Sequence, residues 1–196
     1  MKNLLLLIVI SMSLIACKDE DNYPDPHAHI PHTHAINLQV DSFTTGDPAF
    51  QSGFVSGEAA AVTLGPVANS FQITSVKFLL GGTVVPETKD VILKIYTDEG
   101  NTDPDSLLFN STFNLTSSND ILQEIDLTSH NISVAGGKSI RVAVETGNGL
   151  PSVAEDDDGT IDSARNWIYT GGTWNTSLQM GLSSDFIIRA VVEETI

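Results

Sequence analysis

The chain has 196 residues, with 25 acidic and 9 basic side chains and a single cysteine. A net charge of −16 disfavours nucleic acid as a partner, because the phosphates would be repelled, and one cysteine excludes an internal disulfide. The apolar fraction is 41% and the charged fraction 17%, so the chain is expected to fold, and its length suits one domain with a sizeable core.

Residues 1–16 have the pattern of a secretory signal peptide. Lys2 supplies a positively charged start, and an apolar run follows that only two serines interrupt. The run is well short of the ~20 apolar residues that span a bilayer, which argues against a permanent transmembrane helix.

The signal ends in Leu14-Ile15-Ala16-Cys17, and Lys18-Asp19-Glu20-Asp21 follows. The first motif resembles the lipobox of bacterial lipoproteins, in which cleavage before the cysteine precedes its acylation. Acyl chains contribute about 0.8 kcal/mol per buried methylene, so a multiply acylated Cys17 would anchor stably. The acidic tract resembles the one found in Bacteroidota lipoproteins, although a solvated linker has the same composition. The resemblance implies palmitate on Cys17 and an outer-membrane location facing the cell exterior.

Residues 17–35 are predicted to form an extended tether. Three prolines disfavour a helix there, and four of the five histidines occur as two H-x-H pairs. In an extended chain each pair places its imidazoles on one face, and imidazole binds zinc and copper. The tract is a candidate Zn or Cu site, with a polar spacer as the alternative, and its histidines are His27, His29, His32 and His34.

Residues 36–196 show β patterns throughout. Residues 106–115, 139–145 and 185–192 alternate apolar and polar side chains, as half-buried strands do. On the first of these, Leu107 and Phe109 are predicted to share the apolar face. Further strands are predicted at 71–80, 91–96 and 121–127, with weaker patterns at 36–43, 59–64 and 167–170.

The predicted fold is a single all-β domain, an antiparallel β-sandwich of jelly-roll topology. The short strands are separated by clusters of Gly, Asn and Asp, and no long stretch has helical period. Residues 91–108, 134–144 and 185–190 resemble, in their strand and loop order, secreted β-sandwich domains of bacterial adhesin-like and anchored proteins. That resemblance implies the fold and a surface location, and no reaction.

Catalytic motifs are missing from the sequence. It has no Gly-x-Ser-x-Gly elbow, no HExxH zinc helix and no glycine-rich phosphate loop, and His130 lies in a turn without a nucleophile in a motif beside it. A glycosidase needs two facing carboxylates, and the sequence does not pair any of Glu124, Asp126, Glu145 and Glu155. The chain is therefore predicted not to be an enzyme.

Two acidic loops are candidate calcium sites, because calcium takes six to eight oxygen ligands. Neither has EF-hand spacing, and solvated turns are the alternative. The first set is Glu155, Asp156, Asp157, Asp158 and Asp162, and the second is Asp98, Asn101, Asp103 and Asp105.

Aromatic residues surround the Gly171-Gly172 turn: Trp167, Tyr169 and Trp174. Exposed rings would stack on sugar faces, whereas core packing is the commoner fate of tryptophan. The tripeptides that contain Ser106 and Ser163 resemble O-glycosylation sites of exported Bacteroidota proteins, which implies modification of those two serines.

These patterns together predict a non-enzymatic surface lipoprotein that acts as a binding or adhesion module. Its expected ligand is an extracellular glycan or a surface protein, its membrane contact is the lipid on Cys17, and it requires no cofactor. The alternative is a metal-binding lipoprotein that uses the histidine tract.

Overall fold

Fourteen strands make up about half of the part of the chain that the computed structural model describes, residues 32–196. Every strand pair is antiparallel, and the helices described there are two single 3-10 turns, Thr128–His130 and Leu178–Met180. The strands are β1 Thr33–Leu38, β2 Ala49–Gln51, β3 Ala59–Leu64, β4 Phe71–Phe78, β5 Leu80–Gly81, β6 Thr88–Asp98, β7 Leu107–Thr116, β8 Gln123–Asp126, β9 Ile132–Val134, β10 Ser139–Glu145, β11 Ser152–Asp156, β12 Asn166–Thr170, β13 Thr173–Thr176 and β14 Ile188–Thr195.

The strands form two main sheets and one small sheet. The first main sheet has the order β1-β14-β4-β8, with β9 also paired to β4, and the second has the order β13-β12-β3-β10-β6-β7. The small sheet is β2-β11-β5. We call the second main sheet the six-stranded sheet.

The strand order is that of a jelly roll. Without the small sheet and the β12–β13 hairpin, and with β8 and β9 taken as one strand, eight strands remain in chain order. Numbered 1 to 8 along the chain, these are β1, β3, β4, β6, β7, the combined β8 and β9, β10 and β14. In this numbering the first main sheet has the order 1-8-3-6 and the six-stranded sheet 2-7-4-5, which is the double Greek key of a jelly roll. The predicted all-β sandwich and its jelly-roll order are therefore confirmed, and the β12–β13 hairpin is an addition beside β3.

Alternation along the strands builds the core between the two main sheets. On β10 the side chains of Ile140, Val142 and Val144 are buried in that core, as the period-2 pattern predicts. Phe78 on β4 and Phe186 just before β14 are among its largest fully buried side chains. Burial of side chains of this size contributes about 1.5–3 kcal/mol each, so the core is the main source of stability.

Two predictions about strand faces and bounds were wrong. Leu107 is 53% exposed instead of lying on the apolar face with Phe109. The β6–β7 register shifts between Ile95 and Tyr96, and this bulge turns Leu107 to the opposite face. Strand β1 begins at Thr33 and pairs with β14, so the sheet starts inside the stretch predicted as tether.

Four short strands were not predicted, namely β2, β9, β11 and β13. Each has three to five residues, too few for a periodic pattern. Strand β11 ends at Asp156, which the sequence had placed in an acidic loop. None of the helices found in residues 32–196 combines the length and the apolar character needed to cross a membrane.

Candidate functional site

The outer face of the six-stranded sheet, turned away from the core, carries a second apolar cluster. Ala59 and Ala61 on β3 and Ala143 on β10 point to this face, and their small side chains leave room above the sheet. Trp167 and Trp174 pack against these alanines and are only 5% and 9% exposed. We call these five residues the outer cluster.

A cleft of about 320 Å³ opens at the rim of the outer cluster. Three aromatic rings line it, from Tyr96 on β6, Tyr169 on β12 and Trp174 on β13, together with Lys94 and Asp103. The Trp174 ring lies 5.1 Å from the Tyr169 ring and 6.2 Å from the Tyr96 ring, measured between centroids. We call this the aromatic cleft, and its size lies within the range of small-ligand sites.

A buried guanidinium supports the outer cluster. The Arg141 side chain is fully buried, and its Cζ lies 4.0 Å from the centroid of the Trp167 ring and 5.2 Å from that of Trp174. Its Nε donates to Asp98 Oδ2 at 2.8 Å. Burial lowers the pKa of Arg141, and the Asp98 carboxylate opposes that shift. Desolvated cation–π contacts of this kind are worth about 2 kcal/mol, so they hold the indole rings in place.

The same guanidinium fastens one wall of the aromatic cleft. Its two terminal nitrogens donate to the backbone carbonyls of Asn101 and Thr102, each at 2.8 Å. The loop that contains these carbonyls also carries Asp103 and Pro104, which line the cleft. Two charge-assisted bonds to a loop backbone reduce its freedom, so the wall is ordered before any ligand arrives.

Polar groups beside the rings have defined partners. Lys94 Nζ lies 3.2 Å from Glu145 Oε2, and Glu145 Oε1 accepts the N–H of Gly57 at 3.1 Å. Burial raises the pKa of Tyr96, so its hydroxyl stays protonated at neutral pH and can both donate and accept. The cleft therefore offers aromatic faces, two phenolic hydroxyls, one ammonium and the exposed carboxylate of Asp103.

The three predicted aromatic residues come together, but on strands rather than on an exposed loop, and both tryptophans are buried, as the core-packing alternative expects. Tyr169 and Trp174 line the cleft, whereas Trp167 is covered by Arg141 and donates its Nε1–H to Thr63 Oγ1 at 3.0 Å. The sequence did not single out Tyr96 or Lys94. Their alternation with Ile95 was the available signal, because it places both on the outward face of β6.

The predicted calcium sets are not assembled as metal sites. Among residues 32–196, no three His, Cys, Asp or Glu side chains are arranged to hold a metal ion. Asp156 is buried, and its carboxylate accepts the N–H groups of Ser42 at 3.0 Å and Asp185 at 3.1 Å. Asp98 of the second set is bound to Arg141. Structural donors thus occupy Asp156 and Asp98, one carboxylate of each predicted set.

A buried carboxyl that the sequence did not indicate lies beside Asp156. Asp185 is 4% exposed, and its Oδ1 accepts the N–H of Asp162 at 2.8 Å and an N–H of the Asn166 amide. Burial raises the pKa of Asp185 from 3.8 to about 6, an effect that the Asp162 hydrogen bond opposes and the Asp156 charge reinforces.

Of the remaining predicted residues, the four that the structure describes, His32, His34, Ser106 and Ser163, do not line the cleft. Cys17, His27 and His29 lie outside the described residues, as does the signal peptide. His32 and His34 are exposed, and the metal-binding alternative stays a prediction. Ser106 is exposed just before β7, and Ser163 is half-buried in the turn before β12.

No protein-family model and no curated protein sequence matches this chain. The solved structures that resemble it include two at 15% identity. One is the clostridial cysteine protease Cwp84 after propeptide cleavage, with a TM-score of 0.51 over 75% of this chain and 40% of that one. The other is the cysteine protease and lectin-like domains of Cwp84, a surface layer associated protein of Clostridium difficile, with a TM-score of 0.50 over 70% of this chain and 32% of that one. This chain thus spans less than half of either, and the likeness concerns the fold alone.

Proposed function

We propose that this protein is a non-enzymatic surface lipoprotein whose β-sandwich binds carbohydrate in the aromatic cleft. The observation that carries the proposal is the convergence of Tyr96, Tyr169 and Trp174, from three separate strands, on one cleft with polar groups at its sides. Aromatic rings present area to the C–H faces of a sugar at little entropic cost, while the polar groups bind its hydroxyls.

The charges around the cleft favour an uncharged sugar. Lys94 is neutralised by Glu145, and Asp103 adds a negative charge to a chain whose net charge is already −16. An anionic saccharide would therefore meet repulsion rather than a free cation. One of the structurally similar proteins is described as containing a lectin-like domain, which supports carbohydrate as the ligand class.

The positions of the carboxylates support binding rather than hydrolysis. A glycosidase needs two carboxyl groups across one cleft. Glu124 and Asp126 lie on β8, Glu145 on β10 and Glu155 on β11, which belong to three different sheets. Glu145, the one nearest the cleft, is already bound to Lys94 and to a backbone N–H.

Anchoring at Cys17 would hold the sandwich near the membrane while leaving the cleft accessible. Strand β1 begins at Thr33, and a fully extended chain advances at most ~3.3–3.6 Å per residue, so the intervening residues reach on the order of 50 Å. We therefore propose that this segment is the spacer of an outer-membrane lipoprotein that faces the cell exterior.

A glycan array compares the protein with Tyr169→Ala and with Phe50→Ala as a matched aromatic control. Phe50 is 55% exposed on β2, in the small sheet away from the cleft. We expect binding of neutral glycans by the wild type and Phe50→Ala, and a loss of about tenfold or more in affinity for Tyr169→Ala, which corresponds to about 1.4 kcal/mol. Equal binding by all three proteins would reject the cleft as the site.

A further inference from the structure

Strand β7 is an edge of the six-stranded sheet, and nothing among residues 32–196 pairs with its outer backbone groups. β7 pairs with β6 on one side and ends the sheet on the other. Ser117 N–H donates to Glu87 O in the continuation of this pairing, so the odd-numbered residues of β7 bond to β6. The N–H groups that point away from β6 therefore belong to Asn110, Thr112, Asn114 and Thr116.

This edge lacks the features that usually prevent strand pairing. Leu107–Thr116 has ten residues, and none is charged, proline or glycine. Its one irregularity is the bulge at its start, which leaves the stretch from Phe109 onward regular. Natural edge strands are commonly short or carry charges. The edge strands β8 and β13 follow this rule, because each has four residues and β8 also carries two acidic side chains. β1, the remaining edge of the main sheets, has six residues, so β7 is the longest edge strand that these two sheets present.

The core is also incompletely covered along β7. The inward residues of β6, Val91, Leu93 and Ile95, are fully buried. Their partners on β7, which include Phe109 and Phe113, are only partly buried. The two phenyl rings lie 6.3 Å apart, and the His130 ring covers part of Phe109, with 4.8 Å between the ring centroids. The rest of their apolar surface is only partly buried, along the edge strand. A further strand at this edge would bury that surface.

We propose that β7 pairs antiparallel with β7 of a second copy of this chain, about a two-fold axis at Ser111. In this register Phe109 lies opposite Phe113 of the second copy, and Asn110 lies opposite Thr112. The two Asn110–Thr112 pairs use the outward backbone groups and exchange two hydrogen bonds each. A second copy is the favoured occupant because the segment Phe-Asn-Ser-Thr-Phe is nearly symmetric about Ser111. Because β7 has no charged residue, pairing of two β7 strands places no like charges opposite each other, although each chain has a net charge of −16.

This dimer makes one continuous sheet from the two six-stranded sheets. Paired strands keep corresponding side chains on the same face, so the outer faces of both copies point in the same direction. If the proposed carbohydrate function holds, both aromatic clefts then face one glycan surface and can bind it bivalently. The dimer itself does not depend on that function.

Disulfide trapping tests the register in the full-length chain carrying Cys17→Ser. The axis places the two copies of residue 111 opposite each other in a non-hydrogen-bonded pair, with Cα atoms ~4.5 Å apart, a separation that a disulfide can bridge. Ser111→Cys is expected to form a covalent dimer on mild oxidation. In the matched control Asn114→Cys, the two thiols are separated by six residues of strand, ~20 Å, and no covalent dimer is expected. No covalent dimer with Ser111→Cys, or equal amounts with both variants, would overturn the proposal.

Sedimentation equilibrium tests the dimer without added thiols. Thr112→Pro removes an N–H that points away from β6, so the monomer keeps its sheet bonds while the pairing edge loses a donor. The wild type is expected to have twice the monomer mass, and Thr112→Pro the monomer mass with a similar melting temperature. A wild type that stays monomeric, or a Thr112→Pro variant with an unchanged dissociation constant for the dimer, would contradict the inference.

Discussion

Replacement of Asp185 by asparagine should stabilise the protein at neutral pH. The carboxyl is almost fully buried, and the charges of Asp156, Asp162 and Asp158 add to the effect of burial in raising its pKa to about 6. An asparagine Oδ1 can still accept the N–H groups of Asp162 and Asn166 that the aspartate accepts. The substitution therefore removes a buried charge and keeps its hydrogen bonds.

The expected magnitude follows from the difference between the folded and unfolded pKa of Asp185. The pKa of Asp185 is about 6 in the folded protein, above the ordinary 3.8, so the folded state holds the proton more tightly than the unfolded state. The stability that protonated Asp185 contributes is therefore complete below pH 3.8 and is lost as pH rises through 6. This difference is worth about 3 kcal/mol at about 1.36 kcal/mol per pH unit. Asp185→Asn should therefore exceed the wild type in free energy of unfolding by up to about 3 kcal/mol at pH 7.5 and match it near pH 3.5.

Urea unfolding at a series of pH values measures this difference directly. The exposed Asp120→Asn is a matched control, because it removes one negative charge from a solvated loop and should change the free energy of unfolding by less than about 0.5 kcal/mol. A gain below about 1 kcal/mol for Asp185→Asn at pH 7.5, or a gain of the same size at pH 3.5, would refute the argument from the buried charge.

Two further substitutions test other parts of the structure. Arg141→Met should cost about 3–5 kcal/mol in urea unfolding, because Asp98 is left buried without its partner, and amide exchange of the Asn101–Thr102 loop backbone should accelerate. An unchanged exchange rate in that loop would show that Arg141 does not order the cleft wall. Thr146→Val should stabilise by about 1 kcal/mol, because its buried hydroxyl has no hydrogen-bond partner among the described residues. A lower unfolding midpoint for this variant would contradict that reading.

Local alternation explains why much of the fold could be predicted. Strand β10 was located at its observed bounds, because Ile140, Val142 and Val144 face a continuous core while their neighbours face outward. Strand β11 was not predicted because its final residue, Asp156, belongs to an acidic stretch whose composition is typical of a turn. The burial of Asp156 depends on the N–H groups of Ser42 and Asp185, which are distant in the chain. A local sequence pattern cannot indicate such partners.

The candidate site was harder to predict because its residues meet only through the folding of the sheet. Tyr96 and Trp174 are far apart in sequence, and their contact depends on the β12–β13 hairpin lying beside β3. The alternation predicted for residues 139–145 correctly places Arg141 on the outward face of β10, opposite to Ile140 and Val142. The complete burial of Arg141 results from the indole rings above it and the loop carbonyls around it, which the periodicity of one strand cannot show.

Intrinsic tryptophan fluorescence during a glycan titration tests the central proposal most directly. The chain has two tryptophans, and both belong to the outer cluster, so their emission reports on the aromatic cleft and not on distant surfaces. A neutral glycan selected on the array should shift the emission with the same dissociation constant that calorimetry gives, and Trp174→Phe should remove most of the shift. Calorimetric binding that leaves the tryptophan emission unchanged would place the ligand elsewhere and contradict the proposed function.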